Sequence, residues 1–391
     1  MSSAYVDAGV RLAPLGRGPL DGLRFAVKDV FDIKGRVAGA GCPAYAVRRA
    51  PAERTAPVIL RLLEAGAELQ GVTVTEELMF GVLGQSATGQ APPNPRAPDR
   101  LPGGSSSGSA SAVAAGLCDV ALGTDTGGSV RVPASFCGLF GLRTGWGRLP
   151  ATGVVPLAPR FDTVGWVARD AGVFAAVTDV LLPEPVAERR QATRLWVPAE
   201  GLDGLEPSLA RLLLETAEDT GLPVDRRPIG IARPDWGRAY KTLQGLASWA
   251  VHGAWIRAER PDLGPIARRR FEAAAAVDPD DGPGAEAVIH ALSEAVLPAL
   301  DAGAVLVMPT TPCAAPRRDA APEALEPVRA AILERTALAG LLGLAEVSLP
   351  GLWHDGAPLG LSLIGHGWDE RRLVRMACAL APSLGRERVA E

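Results

Sequence analysis

Two segments rich in glycine and serine lie close together in the chain and have the composition of a reactive site. The first reads Gly-Gly-Ser-Ser-Ser-Gly-Ser over residues 103–109, and the second reads Gly-Thr-Asp-Thr-Gly-Gly-Ser-Val-Arg over residues 123–131. Adjacent glycines allow tight turns and positive φ angles that aim successive backbone N–H groups at one point. Such a set of donors holds an anion or the oxyanion of a reacting carbonyl. We therefore expect a nucleophilic serine in one of these segments.

The first segment formally matches G-x-S-x-G, a pattern that would make Ser106 the nucleophile of a strand–turn–helix elbow. Such an elbow requires a strand directly before it. Residues 91–102 contain five prolines and are predicted to be a loop, which disfavours this interpretation. A phosphate-binding P-loop is also disfavoured, because no lysine lies near either glycine cluster.

A serine hydroxyl needs a base that takes its proton as it attacks a carbonyl carbon. The histidines lie in no recognisable catalytic phrase, and we expect them to be structural or exposed; they are His252, His290, His354 and His366. Lysine is rare, and unlike arginine it can lose its proton when it is desolvated. The candidate bases of this kind are Lys28, Lys34 and Lys241.

Composition excludes several classes of protein. With 391 residues, a net charge of −4 and no block of basic residues, the chain is not expected to bind nucleic acid or an anionic membrane. Its five scattered cysteines form no C-x-x-C pair and predict reduced thiols rather than a disulfide framework or a zinc site. The N-terminus lacks the features of a signal peptide, and no apolar run reaches membrane-spanning length, so we expect a cytoplasmic protein.

Hydrophobic periodicity indicates strands and helices from one end of the chain to the other. An alternating pattern over 24–30 predicts a strand with Lys28 near its end, and 57–65 predicts an amphipathic helix. Further strands are expected at 69–74, 119–124, 304–308, 346–350 and 359–364, with helices at 109–117, over most of 170–300, and from 370. These elements predict a single α/β domain over 1–391, with a mixed central sheet covered by helices on both faces.

Three phrases in a fixed order resemble those of the amidase signature family. They cover residues 26–32, 103–110 and 123–138, and the serines Ser105 and Ser129 are 129 − 105 = 24 residues apart, as the family motif requires. A fourth phrase, Phe-Asp-Thr-Val-Gly at 161–165, continues the pattern. The resemblance is strong over about 20–175 and looser over about 300–380. We expect C-terminal strands and a helix over about 300–385 to complete the same sheet.

The resemblance implies a Ser-Ser-Lys triad that works without a metal or an organic cofactor. Ser129 would be the nucleophile, Lys28 the neutral base, and Ser105 the bridge between them, with a cis peptide bond from Gly104. Backbone N–H groups of one turn would form the oxyanion hole; they belong to Thr126, Gly127, Gly128 and Ser129. Met79 and Ser105 would contact the substrate. Asp125 and Arg131 are expected to pair beneath the turn rather than take part in catalysis.

The implied reaction is hydrolysis of a small-molecule carboxylic amide to an acid and an amine or ammonia, through an acyl-enzyme. Alternatives are hydrolysis of an ester, carbamate or urea-type bond by the same triad, a glutamine-hydrolysing amidotransferase subunit, and a non-catalytic binding module.

The phrase Ser-Ser-Ser-Gly resembles the short indole-3-acetamide hydrolase group. Gly89 and Pro93, however, stand where that group carries larger residues. The apolar residues Met79, Phe80, Val82 and Leu83 are expected to wall the acyl pocket, which predicts a hydrophobic or aryl-bearing amide as substrate.

Overall fold

One mixed β-sheet of eleven strands runs through residues 3–87, 89–182 and 192–384, the part of the chain that the computed structural model describes. In chain order the strands are β1 (Tyr5–Leu12), β2 (Arg24–Lys28), β3 (Glu68–Thr73), β4 (Val120–Asp125), β5 (Phe140–Arg143), β6 (Thr163–Ala168), β7 (Arg194–Trp196), β8 (Val224–Asp225), β9 (Ala304–Pro309), β10 (Ala345–His354) and β11 (Ala357–Gly365). Their spatial order is β1-β3-β2-β4-β6-β5-β10-β11-β9-β7-β8.

Two groups of parallel pairs flank an antiparallel run in this sheet, and β1 joins one edge antiparallel to β3. β2 pairs in parallel with both β3 and β4, and β7 pairs in parallel with β8 and β9. Between them, β4, β6, β5, β10, β11 and β9 form an antiparallel run. The C-terminal strands therefore complete the sheet that the N-terminal half begins.

Helices flank the sheet. They are α1 (Pro43–Ala46), α2 (Pro57–Glu64), α3 (Ser107–Ala114), α4 (Arg131–Cys137), α5 (Ala171–Leu181), α6 (Ala199–Leu202), α7 (Pro207–Glu218), α8 (Arg233–Glu259), α9 (Pro265–Ala275), α10 (Gly282–Asp301), α11 (Pro322–Leu341) and α12 (Glu370–Leu384). Short 3-10 turns lie at Glu77–Met79 and Pro279–Asp281.

Side chains that alternate along the central strands enter two separate apolar clusters. On β2, Phe25 and Val27 belong to the larger cluster, whereas Ala26 packs with residues of α3 and α4 in the smaller one. Successive strand residues point to opposite faces of a sheet. Both faces of the central sheet are therefore covered, and the prediction of a mixed α/β sheet between helices is confirmed.

Two strands lie within the region that was predicted to be mostly helical. β7 has three residues and β8 has two, too few for an alternating pattern to be visible in the sequence. The helical prediction is confirmed for the rest of that region by α5 to α10 within the described residues, including the 27 residues of α8. Residues 183–191, which belonged to the same prediction, lie outside the described residues.

Candidate active site

Lys28 ends strand β2 with its side chain fully buried in the protein interior. Its Nζ lies 2.8 Å from Ser105 Oγ and 2.9 Å from Thr124 Oγ1, and both hydroxyls are themselves in buried surroundings. No carboxylate of the described residues lies within ion-pair distance of this amine. The ammonium form would therefore exchange water for two neutral hydroxyls, which stabilise a charge poorly.

Burial lowers the pKa of Lys28 to about 7, and the negative charges of Glu76, Asp125 and Asp162 oppose that shift. Desolvation is the larger effect because the amine has left water completely. A lysine with its pKa near 7 is substantially neutral at neutral pH and can accept a proton. The site therefore contains a base, and it is one of only three lysines in the chain.

Ser105 lies in the loop before α3, and the Gly104–Ser105 peptide bond is cis. Its carbonyl oxygen accepts hydrogen bonds from the Glu76 N–H at 3.2 Å and the Thr75 hydroxyl at 3.1 Å. These two bonds hold the backbone of Ser105 against the end of β3, beside Lys28. The side chain is thereby placed for the 2.8 Å contact with Nζ.

Ser106 does not occupy a nucleophile elbow. Its hydroxyl is buried and donates to the carbonyl of Thr124 at 3.3 Å. The residues before it form loop rather than strand, as their prolines predicted. The Ser106 N–H instead donates to the Ser129 carbonyl at 3.1 Å, and this bond joins the two glycine-rich segments.

Ser129 lies in the turn from β4 to α4, and the Asp125 carboxylate organises this turn. That carboxylate accepts the N–H groups of Gly128 at 2.9 Å, Val130 at 3.0 Å and Arg131 at 3.3 Å. Gly128 has a φ of 111°, which side-chain-bearing residues rarely adopt. A Cβ there would also come within 2.9 Å of Thr336 Cγ2, so the turn requires glycine at this position.

Asp125 is also the centre of a buried ion-pair cluster beneath the turn. Arg131 Nη2 and Arg143 Nη1 lie 2.8 Å and 3.0 Å from its Oδ1, and Arg131 Nη1 lies 2.5 Å from Glu346 Oε2. Burial would raise the pKa of Asp125, but the two guanidiniums hold it well below its usual range. The expected pairing of Asp125 with Arg131 is confirmed, and it fixes the backbone that carries Ser129.

Three of the four expected oxyanion-hole donors are free. Over residues 3–87, 89–182 and 192–384, the backbone N–H groups of Thr126, Gly127 and Ser129 have no hydrogen-bond acceptor. The N–H of Gly128 differs from the expectation, because it donates to Asp125 Oδ1. The sequence could not show this, since the bond depends on how the aspartate side chain folds back over the turn. The candidate oxyanion hole therefore consists of three donors.

Ser129 is 3 % exposed and lines a cavity of about 230 Å³ together with Thr126 and Gly127. No hydrogen bond joins Ser129 Oγ to Ser105 Oγ within the described part of the chain. The structure thus shows the Lys28–Ser105 contact and the shared backbone bond of the two segments. The hydroxyl of Ser129 itself is left available to the cavity.

Met79 lines this cavity, as do its neighbours Phe80 and Val82. Met79 follows Leu78 in a left-handed backbone conformation, with φ of 58° and 48° respectively. The other residues that were expected to shape the pocket lie elsewhere among the described residues: Leu83 is fully buried, and Gly89 and Pro93 do not reach the cavity. The loop that carries Gly89 and Pro93 therefore does not line the cavity over Ser129.

Histidines take no part in this site. His252 is buried with a ring nitrogen 2.9 Å from the Pro156 carbonyl, and burial lowers its pKa to about 4. His290 and His354 contact Glu294 and Glu206 instead. Over the described residues there is no group of three or more side chains able to hold a metal ion. No helix in that part of the chain has the length and apolar character needed to cross a bilayer.

Several residues at the site were missed by sequence reasoning. Thr124 shares the Lys28 amine with Ser105, and Glu346 completes the ion-pair cluster. Lys241 and Arg270 line the cavity from α8 and α9. Only Lys241 carried a signal, as one of three lysines in the chain.

Proteins of similar sequence and fold include several that are named amidases. Residues 6–195 match the family model described as Amidase. Amidase 1 of Oryza sativa subsp. japonica is 38% identical over 90% of this chain and 88% of its own length. Outer envelope protein 64, chloroplastic, of Arabidopsis thaliana is 31% identical over 95% of this chain and 68% of its own. A solved structure described as an amidase superposes with a TM-score of 0.82 at 29% identity, covering 95% of this chain and 86% of that one.

The matched family and the relatives named amidase indicate a hydrolase of carbon–nitrogen bonds, built here on a mixed α/β sheet. The chain belongs to the amidase family.

Proposed function

We propose that this amidase-family hydrolase cleaves small-molecule carboxylic amides with Ser129 as nucleophile, Ser105 as proton relay and Lys28 as base. The observation that carries the proposal is the buried Lys28 amine, 2.8 Å from Ser105 Oγ and with its pKa lowered to about 7. A neutral amine in that position has a serine hydroxyl as its proton donor. The bond from the Ser106 N–H to the Ser129 carbonyl joins the two glycine-rich segments and supports a role for both serines in one site.

Acylation begins when Ser129 Oγ attacks the carbonyl carbon and its proton passes through Ser105 to Lys28 Nζ. The negative charge that develops on the carbonyl oxygen is received by the N–H groups of Thr126, Gly127 and Ser129. As the carbon–nitrogen bond breaks, the proton returns from Lys28 through Ser105 to the leaving amine. Water then attacks the ester on Ser129 by the reverse proton path and releases the acid.

The apolar cavity walls near Met79 support a hydrophobic or aryl-bearing acyl group. Esters, carbamates, urea-type compounds and glutamine are the competing substrates for the same triad. A location in the cytoplasm stays a prediction, since one relative carries the name of an outer envelope protein.

Turnover by the purified protein tests this function. We expect acid and ammonia from phenylacetamide at a higher kcat/KM than from acetamide, because a ring buries more apolar surface. Ser129→Ala should lower kcat by at least about a thousandfold. Ser106→Ala is the matched control, since that buried hydroxyl only donates to a backbone carbonyl, and it should keep most of the activity.

The outcome that would overturn the proposal is amide turnover that survives Ser129→Ala. Faster cleavage of esters, carbamates, urea derivatives or glutamine would keep the triad and replace the substrate class.

A further inference from the structure

The cavity over Ser129 combines apolar walls with two cationic side chains. The apolar lining includes Phe80, Val82, Ala273, Ala274, Val277 and Leu333. The cations are Lys241 from α8 and Arg270 from α9. Neither cation belongs to the motifs that place the serines, so the cavity has a charged feature that the hydrolytic machinery does not require.

Packing ties both cations to the reactive turn. Tyr240 lies directly against Gly127, and a Cβ on that glycine would collide with the tyrosine hydroxyl. Lys241 is the next residue along α8. On α9, Phe271 packs edge-to-face on Phe80 with ring centroids 5.0 Å apart, and this contact holds the neighbouring Arg270 beside the apolar wall.

Lys241 is an unneutralised charge. It makes no ion pair and no side-chain hydrogen bond with any residue that the structure describes, although it lines a concave site. A lone lysine on a convex surface would simply be hydrated. Lys241 is solvent-exposed and also borders a cavity with apolar walls, so its ammonium group is positioned to meet a ligand of opposite charge at that cavity.

Arg270 is only partly neutralised. Its Nη2 lies 3.3 Å from Glu326 Oε2, but the other oxygen of Glu326 lies 2.7 Å from Arg329 Nη1. One carboxylate thus serves two guanidiniums. Asp281, at the N-terminal end of α10, is the one acidic residue among those described that line the cavity. The balance of charge around the cavity is positive.

We propose that the substrate carries a carboxylate at the end remote from the scissile amide, and that Lys241 and Arg270 bind it. The proposal rests on the proposed function, because it takes Ser129 as the group that attacks the amide. The apolar walls then hold the body of the substrate between its two polar ends. Arginine pairs with carboxylates through two parallel N–H donors, and lysine adds a point charge.

A matched pair of ligands separates this proposal from the hydrolytic one. Binding of 3-(4-carboxyphenyl)propanamide and 3-(4-methylphenyl)propanamide to the Ser129→Ala protein is measured by calorimetry, so that no turnover is needed. The two amides have nearly the same shape and differ in one charge. We expect the carboxylate to bind about tenfold more tightly.

Variants then assign the preference to the two cations. Lys241→Met should remove most of the difference by weakening only the charged ligand, and Lys241→Glu should reverse it. Arg270→Met should weaken the charged ligand further. Lys34→Met is the matched control, because it deletes the same charge from an exposed residue outside the cavity lining.

Equal affinity for the two amides, no binding of either, or a preference that survives Lys241→Met would each overturn the carboxylate proposal. Failure of the hydrolytic function shows separately, as wild-type protein that binds the ligands and cleaves neither.

Discussion

Two buried ionisable groups border the turn that carries Ser129, and their surroundings act in opposite ways on their charged forms. Asp125 is surrounded by two guanidiniums and three backbone N–H groups, and it stays ionised. Lys28 has only two hydroxyl partners, and burial lowers its pKa to about 7. Burial therefore leaves a fixed charge where ionic partners surround the group, as at Asp125. It produces a proton acceptor where such partners are absent, as at Lys28.

Asp125 and Lys28 therefore have different roles. The Asp125 cluster holds the turn, the Gly128 N–H and the start of α4 in one geometry. Lys28 is held by neutral oxygens, which leaves its proton exchangeable. An ion pair at Lys28 would keep the amine protonated and remove its use as a base.

The largest expected effects come from deleting one cation from each group. Lys28→Met should lower kcat by several orders of magnitude, because among the described residues Lys28 is the one base hydrogen-bonded to the Ser105 hydroxyl. Its free energy of unfolding should stay within about 1 kcal/mol of wild type. The substitution removes the cost of burying an amine together with the gain from two modest hydrogen bonds, and the two effects offset each other.

Arg131→Met should destabilise the folded protein strongly. It leaves Asp125 and Glu346 buried with one fewer cation and should lower the free energy of unfolding by about 3–5 kcal/mol. Urea denaturation at pH 8 measures both variants. A Lys28→Met protein as unstable as Arg131→Met would mean that Lys28 is a structural ion and would contradict the comparison. If Arg131→Met does not fold at all, Arg131→Lys should show a smaller loss of the same sign.

A smaller effect is expected from Glu76, whose negative charge raises the pKa of Lys28 against the effect of burial. Wild-type kcat/KM should rise as pH increases through about 7, because only neutral Lys28 accepts a proton. Glu76→Gln removes a charge that favours the ammonium form, so the pKa of Lys28 falls. The rising limb should then move to lower pH by about half a unit to one unit.

Glu77→Gln is the matched control for that shift. The neighbouring carboxylate accepts the Gly264 N–H at 2.8 Å and is not among the charges that move the pKa of Lys28. Its pH limb should coincide with that of wild type. A Glu76→Gln limb that stays in place, or moves to higher pH, would contradict the electrostatic role of Glu76. Glu76→Asp keeps the charge and should restore most of the wild-type profile.

The residues that meet at the reactive turn could be predicted because they lie in three short phrases with fixed spacing. The strand that ends at Lys28 also carried an alternating pattern, the helix after Ser105 a run of small residues, and the strand before Thr126 a short buried run. The hydrogen bonds by which the Asp125 carboxylate organises its own turn join residues three to six positions apart. Local sequence therefore contains much of the information about that part of the site.

The rest depends on long-range packing. Lys241 and Arg270 reach the cavity only because α8 and α9 pack beside the turn, and no phrase in the sequence marks that contact. The partner of the Gly128 N–H likewise depends on a side-chain conformation. Gly89 and Pro93 were expected near the acyl pocket from their chain position, and the structure places them away from the cavity lining.

Covalent labelling tests the central claim most directly. A fluorophosphonate probe should add one equivalent to the wild-type protein, and peptide mapping by mass spectrometry should place the adduct on Ser129. Labelling should be faster at pH 8 than at pH 6, because the fraction of neutral Lys28 increases over that interval. Lys28→Met should label far more slowly at both values. An adduct on Ser106 would contradict the account, and so would a rate of labelling at Ser129 that depends neither on pH nor on Lys28.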